Sequence, residues 1–253
     1  MSERTLRILE FARITEQLAG YAGSPMGKDL CRKLEPLSGL TEIRRMQEET
    51  TAALRRIYKK GSVSFAGVRD VRPSLLRLKV DASIGIAELM ALASTLEAAG
   101  RVLEYGRREK QDEERVCLDP LFKLIEPCPQ LSREIRRCIL DEETIADDAS
   151  PGLKSVRRQI KQTNDKIHSQ LSAMVSSQSV GLKLQDAIIT QRGGRYCLPV
   201  KAEYRSQFPG MIHDQSSSGA TLFIEPMAVV KLNNDLSQLA AKEKEEIDKV
   251  LDI

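Results

Sequence analysis

The chain has 253 residues, and Lys and Arg outnumber Asp and Glu by 39 to 36, a net charge of +3. Charged residues make up 30% and aromatic ones 4%, with no Trp, which argues against a large sandwich or barrel and for helices laced with solvent-facing charge. The near-neutral balance neither demands nor excludes nucleic acid. Five Cys without a C-x-x-C pair and only two His form no zinc pattern. With no signal peptide and no apolar run near 18 residues, the expectation is a cytoplasmic protein with reduced thiols and no membrane partner.

Residues 5–21 are amphipathic, with Leu6, Leu9, Ile14, Leu18 and Tyr21 as the expected core face. Ser24-Pro25 is a helix start, since serine caps orphan amides and proline suits the first turn. That helix ends near Leu34. Thr41 opens the next, with Ile43, Met46, Leu54 and Ile57 along one side, and Gly61 ends it. After an irregular stretch and a short helix at 73–78, residues 86–105 form an Ala- and Leu-rich helix, the expected centre of the body. Gly100 inside it costs about 1 kcal/mol relative to Ala and points to close packing. Residues 107–115 are a charge run, expected to be a solvated helix end. Short helices are expected at 120–126 and 131–140, and 141–149 is acidic and loop-like.

From 151 to 178, apolar residues recur at Leu153, Val156, Ile160, Ile167, Leu171 and Met174. From 227 to 253 they recur at Val229, Leu232, Leu236, Leu239, Ile247 and Val250. Both series keep one apolar stripe on a helix, and the two stripes can bury each other in an antiparallel pair. Between them, 186–226 is the only part of the chain that looks like β-structure. Two runs rich in Ile, Thr, Tyr and Val, 187–192 and 195–200, flank Gly193-Gly194, a hairpin signal because tight primed turns need positive φ. Residues 211–214 and 221–225 are further strands around a serine-rich link. The fold expected is mainly α: a multi-helix body carrying a long antiparallel two-helix lever with a small β-rich clamp. The expected divisions are 1–150 body, 151–178 ascending helix, 179–226 head and 227–253 descending helix.

Two motifs suggest enzymes and fail on spacing. Gly23 to Lys28 resembles a phosphate-binding loop, but it is one residue short, Asp29 stands where a hydroxyl should hold magnesium, and a helix precedes it. His213-Asp214 followed by serines suggests a hydrolase. Neighbouring strand residues point to opposite faces, however, and Ser217 lacks a nucleophile elbow. His168 is expected to be a solvent-exposed polar residue. No catalytic, cofactor-binding or metal-binding residue is assigned. The basic residues of the head are the candidate contacts: Arg192 and Arg195 flank Gly193-Gly194 and are expected to project from one tip. Lys201 and Arg205 would extend that surface, with Tyr196, Tyr204 and Phe208 interleaved. Such residues can reach phosphates, or can simply protect a strand edge.

The stretch RYCLPVKAEYRSQFPGMIHDQSSSGATLFIEP resembles the corresponding segment of the bacterial MutS-two family, paralogues of the mismatch-repair ATPase MutS. Leu6–Glu10 (LRILE), Ser24-Pro25-Met26-Gly27 and Glu35-Pro36-Leu37 resemble the start of the MutS core. The resemblance implies that the body is that core, the paired helices the lever, and the head a clamp that closes around nucleic acid in a homodimer. It also implies that ATP and magnesium bind in an ATPase domain absent here, and that a KOW-like segment and a small nuclease domain follow. The expectation is therefore an N-terminal, non-catalytic segment of a longer ATPase and endonuclease. That parent would clamp branched or recombining DNA and suppress homologous recombination. Ribosomes or structured RNA are an alternative cargo, since the family is connected with stalled, collided ribosomes. A coiled-coil protein-interaction module is the reading of a different class.

Overall fold

The computed structural model describes residues 3–107 and 117–252. Apart from Arg107, the charge run at 107–115 lies outside them. Eleven α-helices, one 3-10 helix (Ala202–Gln207) and one four-stranded sheet are present among the described residues, in two compact units, 1–146 and 147–253.

The first unit is helical. The amphipathic stretch at 5–21 is not one helix: α1 (Glu3–Ile8) and α2 (Phe11–Tyr21) are separated at Glu10, which adopts left-handed φ 50° and ψ 38°. The Glu10 carbonyl accepts the Arg13 and Ile14 amides and so starts the second helix in a new direction. The turn also reverses the expected burial. Thr15 and Ala19 are buried, while Leu9, Ile14, Leu18 and Tyr21, the expected core face, are exposed.

Helix α3 (Pro25–Arg32) begins as its sequence requires, with Ser24 Oγ accepting the Gly27 amide at 3.1 Å and Pro25 at the first position. The near-match to a phosphate loop is thus a helix cap. Arg32 donates two bonds to the Glu16 carboxylate of α2, at 2.8 and 2.9 Å. In α4 (Leu40–Lys60), ended by Gly61 at φ 80°, the expected stripe is likewise open: Met46, Leu54 and Ile57 are exposed.

Helix α5 (Arg72–Leu78) precedes α6 (Ile86–Gly106), whose Ala93 and Ala98 are fully buried. The tight glycine of α6 is Gly106, where a Cβ would lie 2.3 Å from the Phe122 ring. Gly100 has open space where a side chain would go, contrary to the close packing expected there. Phe122 lies on α7 (Asp119–Lys123), and α8 (Pro129–Cys138) packs on α6 through Arg136, which donates to Glu97 at 2.9 Å and Ser94 at 2.8 Å. The acidic stretch after α8 is not simply a solvated loop: Ile145 and Ala146 are buried, and Ile145 bridges Ile139.

The second unit is the larger core. Ser150 caps α9 (Pro151–Ser176) by accepting the Leu153 amide at 3.0 Å. A short α10 (Gln178–Gly181) leads into strands β1 (Thr190–Arg192), β2 (Arg195–Lys201), β3 (Gly210–Gln215) and β4 (Thr221–Pro226), and α11 (Met227–Leu251) closes the unit. All pairs are antiparallel in the order β1-β2-β4-β3. Gly193 and Gly194 have φ 56° and 76°, as a two-residue primed turn requires.

Strand period two decides what the sheet buries. Leu198 and Val200 on β2 and Leu222 and Ile224 on β4 face Ile167 and Leu171 of α9 and Val229 of α11 in one apolar cluster. Beyond the sheet, α9 and α11 run side by side in opposite directions: Gly152 lies against Glu246, and Arg157 Nε meets Glu243 Oε1 at 2.8 Å. Val156 and Leu239 are buried along these helices, and Ile160 and Leu236 are half-buried.

Candidate nucleic-acid interface

The sheet face turned away from the apolar cluster is polar. Strand alternation puts Arg195 and Cys197 of β2 and Phe223 and Glu225 of β4 on it. Arg192 and Arg195 are register partners, so they share a face, but they do not project freely from a tip. Arg192 Nε pairs with Asp214 at 3.0 Å, and its guanidinium lies 3.9 Å from the Phe223 ring centroid. Arg195 reaches inward to Glu225 Oε1 at 2.7 Å and to Asn234 of α11.

Glu225 is fully buried. A buried carboxyl must be matched by donors, and three are present: Arg195, His213 Nε2 and Asn233 Nδ2, the last at 2.8 Å. The His213 contact depends on a bulge between Ile212 and Asp214. The extra residue lets both His213 and Asp214 reach this face, contrary to the opposite-face expectation for neighbouring strand residues. Ser216 and Ser218 bond within their own loop. The Cys197 thiol is pushed up to about 11, by burial first and then by the Glu225 charge, so it stays protonated and unreactive near neutrality.

Asn233 joins the sheet to α11. Pro226 has no N–H to offer β2, and beyond it the chain is already helical. The Asn233 amide takes that place, donating to the Tyr196 carbonyl and accepting the Tyr196 amide, both at 3.2 Å. The Tyr196 hydroxyl donates to Asn164 of α9 at 2.9 Å, and its ring meets His168 edge-on with centroids 5.0 Å apart. His168 is exposed as expected, but it is packed on an aromatic ring. Phe208 is buried in the apolar cluster. Tyr196 and Phe208 therefore serve packing and are not free platforms for bases.

The six candidate positions do not gather into one surface. Arg195 and Lys201 stand at opposite ends of β2, on the order of 20 Å apart at about 3.3 Å per residue. Lys201 Nζ donates to the Leu182 carbonyl at 3.3 Å. Arg205 caps the turn before β3, donating to the Phe208 and Gly210 carbonyls at 3.2 and 3.4 Å. Gly193 and Gly194 have open space on their Cβ side, so the turn's backbone is accessible. Glu225, Asn233 and Asn234, which organise the polar face, carry no local sequence signal: Asn233 and Tyr196 are 37 residues apart. Among the described residues no three His, Cys, Asp or Glu side chains gather as metal ligands, and no helix is long and apolar enough to cross a membrane.

No family model matches the chain. Over 99% of its length it is 54% identical to a protein named endonuclease MutS2 from Lachnoclostridium phytofermentans, of which the match covers 32%. A protein of the same name from Agathobacter rectalis is 49% identical, again over 99% of this chain and 32% of the relative. A third, from Lachnospira eligens, is 45% identical, with 31% of its length covered. The chain thus spans about a third of the length of the curated relatives it matches, and the resemblance to the MutS-two family holds along the whole of it.

Proposed function

We propose, from this kinship with MutS2 proteins, that the chain is the core, lever and clamp portion of a cytoplasmic MutS-like ATPase that holds branched or recombining DNA and restrains homologous recombination. The observation that carries this reading is the 54% identity along 99% of the chain against a relative three times as long. Residues 1–150 are the core, 151–178 and 227–253 the lever, and 179–226 the clamp. Support for the lever comes from the antiparallel course of α9 and α11 and from Asn233, which ties the sheet to α11 through hydrogen bonds on both sides of Tyr196. A head held this way moves with its helix. ATP, magnesium, dimerisation and the nuclease chemistry in the relatives' name belong to parts of the polypeptide outside this segment.

In the head, the open Gly193-Gly194 backbone is best placed to reach a phosphate, because Arg192, Arg195, Lys201 and Arg205 all engage neighbouring groups of the fold. Contact to phosphates alone is insensitive to base sequence and weak, in the range of about 10⁻⁴–10⁻⁶ M for nonspecific association. Titration of a labelled four-way DNA junction with the purified chain should give binding of that order at low salt, falling steeply as salt rises. An apolar protein-interaction module would give no such dependence. Failure to bind junction, duplex or structured RNA at low salt sinks the reading.

A further inference from the structure

The two long helices of the second unit differ in charge far more than their shared packing role requires. Within α9 five basic side chains stand against one acid, Asp165, a net +4, whereas α11 holds four bases and five acids, a net −1. Of the basic residues of α9, Arg157 is bound to Asp147 and Glu243. Lys154, Arg158 and Lys161 are exposed and have no ion-pair partner among the described residues. Spaced by four and three residues, they lie on one face of the helix, turned away from the buried stripe of Leu153, Val156, Ile167 and Leu171.

Helix stability does not explain this placement. Cations in a first turn oppose the helix dipole, yet α9 has no acidic residue in its first turn and has Lys154 there. Like charges at these spacings also repel. The same face continues past Asp165 with the exposed hydroxyls of Ser169, Ser172 and Ser176. The strip from 154 to 176 is about 33 Å long at 1.5 Å per residue, close to one turn of duplex. Lys, Arg and Ser are the side chains that donate to phosphate oxygens and fix register without reading bases.

We infer that this outward face of α9 is a second contact surface for the phosphodiester backbone of duplex DNA, distinct from the head. The inference rests on the nucleic-acid reading above and adds to it the helix along which the duplex lies. An acidic protein surface could pair with the three cations, but the hydroxyl continuation matches a repeating line of acceptors, and duplex DNA presents one at each step.

The test compares the chain with K154E/R158E/K161E and with a control of equal charge change on α11, K231E/K242E/K244E. Binding to a fluorescent 30-base-pair DNA duplex is followed by anisotropy over a salt series. Each lost phosphate contact removes about 0.9 from the slope of log K against log salt, so the α9 variant should lose about 2 to 3 and the control almost nothing. A milder K154Q/R158Q/K161Q variant should show a loss in the same direction. Circular dichroism should be unchanged in all. An unchanged slope in the α9 variants, or an equal loss in the control, overturns the inference while leaving the function reading intact. If the unaltered chain binds no duplex at all, the inference falls, and the function reading falls with it only if the four-way junction and structured RNA also go unbound at low salt. Tighter binding of an RNA duplex of the same sequence, lost in the α9 variant, overturns DNA as the occupant.

Discussion

At the scale of single residues, the polar face of the sheet depends on an asparagine more than on the arginines that mark it in the sequence. Asn233 is almost fully buried and satisfies three groups at once: the Tyr196 amide, the Tyr196 carbonyl and the Glu225 carboxyl. A leucine, with the same branching but no polar atoms, would leave all three short of a partner in a buried site. Each orphaned buried group costs about 1–3 kcal/mol, with partial relaxation. Asn233→Leu should therefore lower the stability of the second unit by about 2–4 kcal/mol. Asn234→Leu, which removes only a partner of half-exposed Arg195, should cost less than about 1 kcal/mol. Urea titration monitored by circular dichroism decides between them, because the midpoint moves at constant slope when stability alone changes. Equal midpoints for the two variants would mean that the amide does not pin β2 to α11. The sequence shows Arg192 and Arg195 beside a turn, but not that both are tied down, since their partners Asp214, Glu225 and Asn234 lie on other elements.

At the scale of elements, the two glycines of α6 are a controlled pair. Gly100 sits mid-helix with open space beside it, and Gly106 faces the Phe122 ring at a distance no Cβ could keep. Gly100→Ala should stabilise the first unit by about 0.5–1 kcal/mol, by restricting the unfolded chain. Gly106→Ala must displace an aromatic side chain and should destabilise by about 1–3 kcal/mol. If both alanines stabilise, Phe122 does not pack on α6 as described. Elements of this kind were legible in the sequence where their signals are local. Ser24-Pro25 starts a helix with the cap it promises, and Gly193-Gly194 makes the turn its positive φ allows. What was not legible depends on distant packing. Glu10 breaks α1 from α2 although glutamate rarely takes a left-handed conformation, and nothing in its neighbours announces it. The bulge that turns His213 toward Glu225 is equally silent, because one strand's pattern cannot show the register of its partner.

At the scale of the whole molecule, the two units bury very different cores. In the second, Leu153, Ile167, Leu171, Leu198, Val200, Ile224 and Val229 are all fully buried. In the first, the only side chains buried completely among the described residues are those of Ala93 and Ala98; Ile84, Val102, Ile135, Ile139 and Ile145 are buried less completely, and Leu9, Ile14, Leu18, Leu54 and Ile57 remain exposed. Full burial of one large aliphatic side chain is worth about 1.5–3 kcal/mol, and an alanine contributes a small fraction of that. The first unit thus buries fewer large aliphatic side chains than the second, and leaves many of its own in solvent. The purified chain should therefore unfold in two steps, with 1–146 opening first. Hydrogen exchange should find slow amides at Leu171, Leu198 and Ile224 when those of α2 and α4 have already exchanged, because local opening follows local burial. Calorimetry should show two transitions or a shoulder, and Asn233→Leu should move only the upper one. A single sharp transition, moved equally by Asn233→Leu and Gly106→Ala, would mean that the two units fold as one cooperative body and that the open faces of the first do not weaken it.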